Sequence, residues 1–350
     1  MSSAPPAPRR ATVATGLAAL GAALAVAFVL AAMLGSTDIG PGDVLRVVRS
    51  HLPWGAPLDD RIDPSFDSIV WGIRLPRAAL AATVGATLAV VGATLQAIMR
   101  NPLADPAILG GSAGASLGAI VVLLVGFTPF GTWSLIGSAF VGSLAGYALT
   151  LALASRAGQL SPVRLVLAGV AVSYLLSAVG SLLVALSDNP NRVRSVLFWQ
   201  LGSLASAQWR TVTIPATLLA VGVGVTMLRA RALNALVAGD ETAASLGLRP
   251  DRIRRELIVL VAMLTAAAVA LTGTIAFVGL VVPHAVRLLI GTDHARLLPI
   301  AALSGAVFLV VVDVAARLVI EPQELPIGVV TALVGAPLFC LLVRRPTRQL

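Results

Sequence analysis

The feature that most constrains this chain is a series of long apolar runs. Hydrocarbon about 30 Å deep is crossed by roughly 20 apolar residues in an α-helix, and backbone groups in lipid must be paired inside helices or closed barrels. We therefore predict an all-α, polytopic transmembrane helix bundle with about ten crossings. The predicted crossings lie near residues 11–34, 75–99, 107–126, 133–154, 163–186, 209–228, 256–272, 274–291, 296–318 and 326–343.

Composition argues against a soluble domain. Only 12% of the 350 residues are charged and 57% are hydrophobic, whereas soluble domains carry about a quarter charged residues. The 32 glycines suit a compact bundle, because small residues let helix backbones approach closely in lipid.

The arginines predict the orientation. All 25 basic residues are arginines, clustered at the ends of apolar runs, which indicates membrane orientation rather than nucleic-acid binding. The predicted crossings put 16 of them on the side where the chain starts, so both termini are expected in the cytoplasm. Arg9 and Arg10 before the first run are typical of a signal peptide, but the apolar core is long and no cleavage motif follows, so we expect a first crossing.

Two polar segments are long enough to have their own structure: 35–74, predicted outside, and 229–255, predicted inside. In the inner segment, Gly239 and Gly247 punctuate two short amphipathic stretches. Asp240 and Glu241 open the second of them, where negative charge favours the helix dipole. A docking surface and a solvated loop that follows the positive-inside tendency both fit this pattern.

One apolar stretch is expected to be irregular. The residues 272–274, Thr-Gly-Thr, interrupt it, and Pro283 is predicted to break the helix beyond them. A short or re-entrant element fits this part of the sequence.

Few residues suggest chemistry. The chain contains no lysine, so it cannot form a glycine-rich phosphate loop ending in Lys-Ser or Lys-Thr; we predict no enzyme activity, and ATP hydrolysis by a partner. Asp313 is the one carboxylate well inside a predicted crossing. Arg317, four residues later, permits a same-face ion pair, which favours a structural role for Asp313 over a proton relay and weakens the alternative of an ion-coupled secondary transporter.

No metal site is predicted. The three histidines, His51, His284 and His294, are far apart in the sequence, and Cys340 is the single cysteine, which excludes a disulfide or a cysteine cluster within the chain. We interpret Cys340 as a packed small hydrophobic residue.

Six motifs carry a family resemblance. They are R-L-P-R (74–77), R-N-P-L-A-D-P (100–106), G-S-A-G-A-S-L-G (111–118), G-D-E-T-A-A-S-L-G (239–247), F-V-G-L-V-V-P-H (277–284) and E-L-P-I-G (324–328). With these motifs the chain resembles the FecCD-type permeases, the membrane subunits of ABC importers for ferric siderophores, haem and cobalamin. The resemblance runs over nearly the whole chain from about residue 40.

The resemblance implies a type II ABC importer permease, a single domain over residues 1–350 in the cytoplasmic (inner) membrane. It implies a second permease copy, identical or related, two cytoplasmic ATPases and an extracytoplasmic substrate-binding protein. ATP and Mg²⁺ are expected on the ATPases, and no cofactor on this chain. Membrane lipid surrounds it, and no nucleic-acid partner is expected.

The resemblance also assigns candidate site residues. Coupling to the ATPases is expected at Gly239, Asp240, Glu241, Ala244, Leu246 and Gly247. Docking of the binding protein is expected at Arg74, Arg77 and Arg317. A cytoplasmic gate is expected at Asn101, Leu103, Ser161 and Pro162, where Ser-Pro-Val replaces the small polar residues of some family members.

Each assignment has a simpler alternative. The Asn101 loop also fits an ordinary tight turn, Arg77 an interfacial anchor, and Arg317 a partner for Asp313. If Arg74 docks the binding protein, reversing its charge is expected to weaken docking, and unchanged affinity at physiological salt would count against that role.

The predicted function is alternating access. ATP-driven closure of the ATPases moves the coupling segment, and the cargo passes unchanged through a pathway lined by small and apolar groups. Family frequency favours a ferric siderophore as cargo, with haem or cobalamin as alternatives. Alternatives of another class are the ion-coupled transporter and a membrane anchor that transports nothing.

Overall fold

The computed structural model describes residues 10–344 except 36, 56–62, 127, 157–158 and 322. The strands among these residues, β1 (Ser155–Arg156) and β2 (Gln159–Leu160), form one antiparallel hairpin. A π-helical segment (Ser68–Arg74) runs into the fourth α-helix, and a 3₁₀ turn (Pro106–Leu109) precedes the fifth. Fifteen α-helices follow one another along the described residues: α1 (Arg10–Met33), α2 (Pro41–Ser50), α3 (Pro64–Asp67), α4 (Leu75–Met99), α5 (Gly111–Val125), α6 (Thr132–Ala154), α7 (Pro162–Ala185), α8 (Pro190–Gln200), α9 (Trp209–Leu228), α10 (Ala230–Ala238), α11 (Asp240–Ser245), α12 (Pro250–Thr272), α13 (Val278–Ile290), α14 (His294–Leu318) and α15 (Ile327–Arg344).

The apolar helices confirm the predicted polytopic bundle. Seven helical spans among the described residues are long and apolar enough to cross a membrane: those of α1, α4 with the segment before it, α6, α7, α9, α12 and α14. Three shorter apolar helices, α5, α13 and α15, occupy the remaining predicted crossings.

The break between α12 and α13 lies where it was predicted. Gly273 and Phe277 have φ angles of 70° and 68°, in the left-handed region that a regular helix does not use. The carbonyl of Thr272, which ends α12, accepts a hydrogen bond of 2.8 Å from the backbone N–H of Ser203. The unwound residues are therefore held in place by the loop after α8.

Pro283 does not break its helix, contrary to expectation. It lies inside α13, which continues to Ile290. Proline has no N–H to give to the carbonyl four residues earlier, which here belongs to Gly279. The side-chain amide of Gln96 on α4 donates to that carbonyl at 3.4 Å, so a neighbouring helix supplies the missing donor.

Helix α4 lies at the centre of the bundle. Almost all of its residues are buried, and it packs against α14, α13, α12 and α9. A Cβ on Gly85 would lie 2.2 Å from the carbonyl oxygen of Gly305 on α14, and one on Gly92 would lie 1.8 Å from that of Gly279 on α13. Glycine therefore sets the spacing of these helices, as the composition predicts.

The described parts of the segment 35–74, which leave out residues 36 and 56–62, have their own structure, as predicted. Val44 and Val47 of α2 form a small core with Val70 of the π-helical segment. A further short helix, α8, lies in a stretch that was assigned to no crossing. Asn189 caps it by accepting a hydrogen bond of 3.1 Å from the N–H of Asn191, and Pro190 occupies its first position, both of which favour a helix start.

Candidate functional site

The predicted coupling segment consists of two packed helices, α10 and α11. Leu233 and Leu236 of α10 and Ala243 of α11 are fully buried. Gly239 and Gly247 flank α11 with φ angles of 127° and 77°, which other residues rarely adopt. The segment is therefore an ordered surface, not a solvated loop.

The six predicted coupling residues differ in accessibility. Glu241, Ala244 and Gly247 are exposed, and 67% of Leu246 is exposed. Asp240 instead turns toward the protein, where its carboxylate contacts Arg254. Asp240 therefore connects α11 to the bundle. The exposed face of α11 and of the turn after it is formed by residues 241, 242 and 244–247.

Arg254 is the centre of this connection. Its side chain is 1% exposed. Its Nη2 donates to Oδ1 of Asp240 at 2.8 Å and its Nη1 to the carbonyl of Leu160 at 3.0 Å. The N–H of Leu160 donates in turn to Asp251 at 2.9 Å. Arg100 lies 3.8 Å from Asp240. We call these five residues, Arg100, Leu160, Asp240, Asp251 and Arg254, the inner node.

A second link joins α10 to the start of α14. Asn234 donates to Oδ1 of Asp293 at 2.9 Å and accepts from the backbone N–H of His294 at 3.0 Å. Asp293 also caps α14 by accepting from the N–H of Ala295. The hydrogen bond from Asn234, the backbone bond and nearby Arg296 hold the pKa of Asp293 below its usual value.

The two predicted gate loops lie at helix ends, and we call them the gate turns. The first is a tight turn after α4, and the second is the entry into α7, where Pro162 is already helical. Asn101 follows the left-handed Arg100 (φ 49°) that ends α4, and its side chain accepts from the N–H of Leu103 at 2.9 Å. Ser161 precedes Pro162, the first residue of α7, and its carbonyl accepts from Leu165 at 3.0 Å. The geometry fits the ordinary-turn alternative, and the gating role stays a prediction.

At the other end of α4, a second group of charges is buried. Nε of Arg77 lies 2.9 Å from Asp313 and its Nη1 lies 2.8 Å from Glu324. Arg317 lies 3.4 Å from Asp313, as the alternative for that residue anticipated. Arg77, Asp313 and Arg317 are 6%, 1% and 8% exposed. We call Arg74, Arg77, Asp313, Arg317 and Glu324 the outer cluster, after the side of the membrane that the sequence predicts for this end.

Arg74 and Arg317 cap the end of α1. Arg74 Nη1 donates to the carbonyls of Ala32 and Met33, both at 2.8 Å, and Arg317 donates to those of Ala31 and Leu34, both at 3.2 Å. The last carbonyls of a helix lack partners within it and favour positive charge.

The three predicted docking arginines are therefore occupied inside the chain. Arg74 is 5% exposed and, like Arg77 and Arg317, has partners within the chain. Burial also rules out the alternative of Arg77 as an interfacial anchor in this conformation. Direct docking through these residues stays a prediction, and it requires each guanidinium to leave its present partners.

A cavity of about 480 Å³ opens beside the outer cluster. Arg77 and Glu324 form a polar part of its wall, and Phe198, Trp199 and Leu204 form an apolar part. Its volume lies in the range of about 300–1,000 Å³ that is usual for ligand sites. The wall combines small and apolar groups with aromatic and charged ones, and the pathway lined by small and apolar groups stays a prediction.

Metal ligands are not brought together. Within residues 10–344, leaving aside the gaps in the description, no group of three His, Cys, Asp or Glu side chains could hold a metal ion. The interpretation of Cys340 as a packed residue is wrong, since it is exposed on α15.

The sequence missed most of the inner node. Arg254 is one of the 16 arginines predicted on the cytoplasmic side, with no further role. Asn234 and Asp293 of the second link are not among the predicted site residues. Asp251 precedes Arg254 by three residues, a spacing that predicts a same-face pair on a helix, and that was the one local signal available.

A polytopic helical bundle with buried charges at both ends of α4 and an ordered segment at one end fits a membrane permease. The FecCD transport family matches residues 23–345, and the chain belongs to this family. The match begins earlier than residue 40, inside α1.

Relatives and a solved structure agree with this assignment. The chain is 41% identical over 335 residues to the cobalamin import system permease protein BtuC of Halobacterium salinarum, covering 92% of this chain and 88% of the relative. It is 43% identical over 284 residues to the hemin transport system permease protein HmuU of Yersinia pestis, covering 80% and 84%. An inward-facing structure described as a metal-chelate type ABC transporter superposes with a TM-score of 0.81 at 32% identity, covering 93% of this chain and 98% of that one. These matches confirm the predicted family.

Proposed function

We propose that this chain is the membrane-spanning permease subunit of an ATP-driven importer and that its cargo is a ferric siderophore. The ordered inner segment is the observation that carries the proposal. Its exposed face includes Leu246, 67% of which is accessible, beside Glu241 and Ala244. The segment is ordered without a partner, so contact with one would cost little ordering. Membership of the FecCD family supports an ATPase as that partner.

The proposed assembly contains more than this chain. Two ATPase subunits with ATP and Mg²⁺ bind the inner segments, and a second permease copy completes the pathway. Both termini lie in the cytoplasm, in the cytoplasmic (inner) membrane. The chain itself holds no cofactor.

We propose that the extracytoplasmic binding protein docks on the face above the outer cluster. Glu324 is the member of the cluster that reaches solvent, with 47% of its side chain exposed. Arg74, Arg77 and Arg317 lie beneath that face and support it, and direct contact through them requires the cluster to open.

The proposed mechanism is alternating access. ATP-driven closure of the ATPases displaces α11, and the turns at Asn101–Leu103 and Ser161–Pro162 open or close the inner end of the pathway. The cargo changes no covalent bond. The ATPase states drive the cycle because each state binds the conformations of the permease with different affinity.

Reconstitution tests the proposal. The permease is placed in vesicles with its ATPases and binding protein, and uptake of a radioiron-labelled ferric siderophore is measured with and without ATP. We expect accumulation that requires ATP, the ATPases and the binding protein together. Accumulation on an ion gradient without any ATPase would establish the secondary transporter instead, and unchanged uptake by cells lacking the chain would establish a membrane anchor.

Cobalamin and haem are second candidates as cargo, because relatives with 41% and 43% identity are named for cobalamin and hemin import. Direct binding of a ferric siderophore, haemin and cobalamin to the cognate binding protein separates the three. Tight binding of either alternative, with no siderophore binding, would replace the proposed cargo.

Orientation is tested with single cysteines in a Cys340→Ser background. Leu246→Cys is expected to react with a membrane-impermeant maleimide only from the cytoplasmic side. Trp54→Cys, at a position that is 79% exposed in the segment 35–74, is expected to react only from outside. The reverse pattern would overturn the proposed topology.

A further inference from the structure

The inner node joins three segments that are separate in the sequence. Arg254 on α12 holds Asp240, the first residue of α11, at 2.8 Å. The same guanidinium holds the carbonyl of Leu160 at 3.0 Å, one residue before Ser161. Arg100, one residue before Asn101, lies 3.8 Å from Asp240. One carboxylate, Asp240, and two arginines thus connect α11 to both predicted gate turns.

The forked shape of the guanidinium makes this connection specific. Two nitrogens of Arg254 donate in different directions at the same time, one to Asp240 and one to Leu160. A lysine ammonium has no such fixed fork. The hairpin is held on its other side as well, because the N–H of Leu160 donates to Asp251. The carbonyl and the N–H of a single hairpin residue are therefore both tied to α12.

Burial gives the connection its stiffness. Arg254 is 1% exposed. If Asp240 moved away, Asp251 would remain as a carboxylate 3.6 Å from Nη1, but Nη2 would lose its acceptor inside the protein, which costs free energy. The carboxylate of Asp240 is 43% exposed and belongs to a helix of only six residues. The movement of α11 that costs the least free energy is therefore one in which Arg254 and the hairpin move together with Asp240.

We propose that Arg254 is a positioning residue that transmits movement of α11 to both gate turns. Its bond to Leu160 reaches the Ser161 turn. Its bond to Asp240 holds that carboxylate in place beside Arg100, which precedes the Asn101 turn. This inference rests on the proposed function, because it needs an ATPase that displaces α11. Arg254 touches neither cargo nor nucleotide in this role.

The test uses the assembled transporter in vesicles and the variant Arg254→Gln. ATP hydrolysis is expected to stay within about twofold of the wild type, while ATP-driven uptake falls by about tenfold or more, the size of an ordinary coupling free energy. The matched control is Arg252→Gln, two residues away on the same helix. Arg252 is 71% exposed and pairs with Glu256, so this change is expected to leave uptake unchanged.

A second readout follows the gate turns directly. Leu103→Cys and Gln159→Cys, both exposed positions, are placed singly in a Cys340→Ser background and labelled with a water-soluble maleimide. In the wild type, the labelling rate at both sites is expected to change when nucleotide is added. In Arg254→Gln both changes are expected to disappear.

Arg254→Lys separates the two branches. A single ammonium is expected to keep its attraction to Asp240 and lose the bond to Leu160. Nucleotide should then still change labelling at position 103 but no longer at position 159. Equal responses at the two sites would contradict the assignment of the Leu160 bond to the second turn.

The outcomes that overturn the inference are distinct. Uptake and labelling responses that survive in Arg254→Gln would show that the node transmits nothing. Hydrolysis, melting temperature and uptake that fall together would show that Arg254 only holds the fold. If the wild-type complex itself fails to accumulate any of the three ligands with ATP, the proposed function fails first, and the inference with it.

Discussion

The two ends of α4 hold their charges in different ways. At the outer end, Arg74 and Arg77 are 5% and 6% exposed and are satisfied by carbonyls and carboxylates of the same chain. At the inner end, Arg100 and its partner Asp240 are 39% and 43% exposed. Water can replace a lost partner of Arg100 or Asp240, whereas at the outer end it cannot, because burial leaves an unpaired charge uncompensated.

This difference separates a fixed end from an adjustable one. The outer cluster fastens α1, α4 and α14 to one another. The inner node contains one deeply buried charge, Arg254, beside two carboxylates, Asp240 and Asp251, that reach water. We expect substitutions at the outer end to act mainly on stability and those at the inner end to act mainly on transport.

The largest expected effect is that of Asp313→Ala, which leaves Arg77 and Arg317 without their shared carboxylate. Breaking a buried ion pair costs about 3–5 kcal/mol, so the detergent-purified chain should melt at a markedly lower temperature. The control is Asp43→Ala, since Asp43 pairs with Arg46 at an exposed site, where such pairs contribute about 0–1 kcal/mol. Similar melting of the two variants would remove the distinction between the ends.

A smaller loss of stability is expected for Arg74→Ala. This change removes hydrogen bonds to the carbonyls of Ala32, Met33 and Thr37. Hydrogen bonds to a charged group contribute about 1.5–3 kcal/mol, so the melting temperature should fall. Arg46→Ala, at a side chain 55% exposed, serves as control. If instead the affinity for the binding protein fell while melting did not change, Arg74 would face the partner and the outer end would not be closed.

The middle of α4 is probed by Gly92→Ala. The added Cβ would lie 1.8 Å from the carbonyl oxygen of Gly279, and overpacking typically costs about 1–3 kcal/mol. Gly224→Ala on α9 is the matched control, because nothing lies within 4 Å of its Cβ; it should stabilise by about 0.5–1 kcal/mol. Equal melting of the two variants would show that α4 and α13 can separate easily.

The smallest effect is expected from Asp293→Asn, at the second link of the inner end. Asparagine keeps an acceptor oxygen but has no charge, so the charge-assisted bonds from Asn234 and Ala295 weaken. With 44% of the Asp293 side chain exposed, the loss of stability at pH 7 should be about 1 kcal/mol. The pKa of Asp293 is lowered in the folded state, so its contribution is present above the usual carboxyl pKa and is lost as pH falls through the lowered value. The gap in melting temperature between variant and wild type should therefore be constant at neutral pH and close in acid.

An Asn234→Ala background checks this link. Asn234 supplies the largest part of the lowered pKa of Asp293. Asp293→Asn should then lower the melting temperature less than it does in the wild type. An undiminished effect would show that Asp293 acts only as the cap of α14.

Local sequence signals predicted the helices and the inner segment. Apolar length gave the ten crossings, because the membrane fixes how long a spanning helix must be. Gly239 and Gly247 marked the limits of α11, because both require backbone angles that favour glycine. The Asp313–Arg317 pair was predicted from its spacing of four residues on one helix, and the structure places it at 3.4 Å.

Contacts between distant residues could not be predicted in the same way. Arg77 and Asp313 are 236 positions apart, and Arg254 and Leu160 are 94 apart. An arginine beside an apolar run has the same local pattern whether it meets lipid, a partner protein or the end of another helix. For this reason the sequence alone did not reveal the burial of Arg74, or the donor from α4 that lets Pro283 remain inside a helix.

The burial of α4 determines how slowly its backbone amides exchange hydrogen with solvent. Neighbouring helices of the same chain cover nearly its whole length, and its glycines admit almost no gap at Gly305 and Gly279. Its amide protons should therefore be among the last to exchange with deuterated solvent, since they open only in the rarest and most costly fluctuations. We expect α4 to keep its position during transport, while α11 and the turns beside the inner node move relative to its inner end.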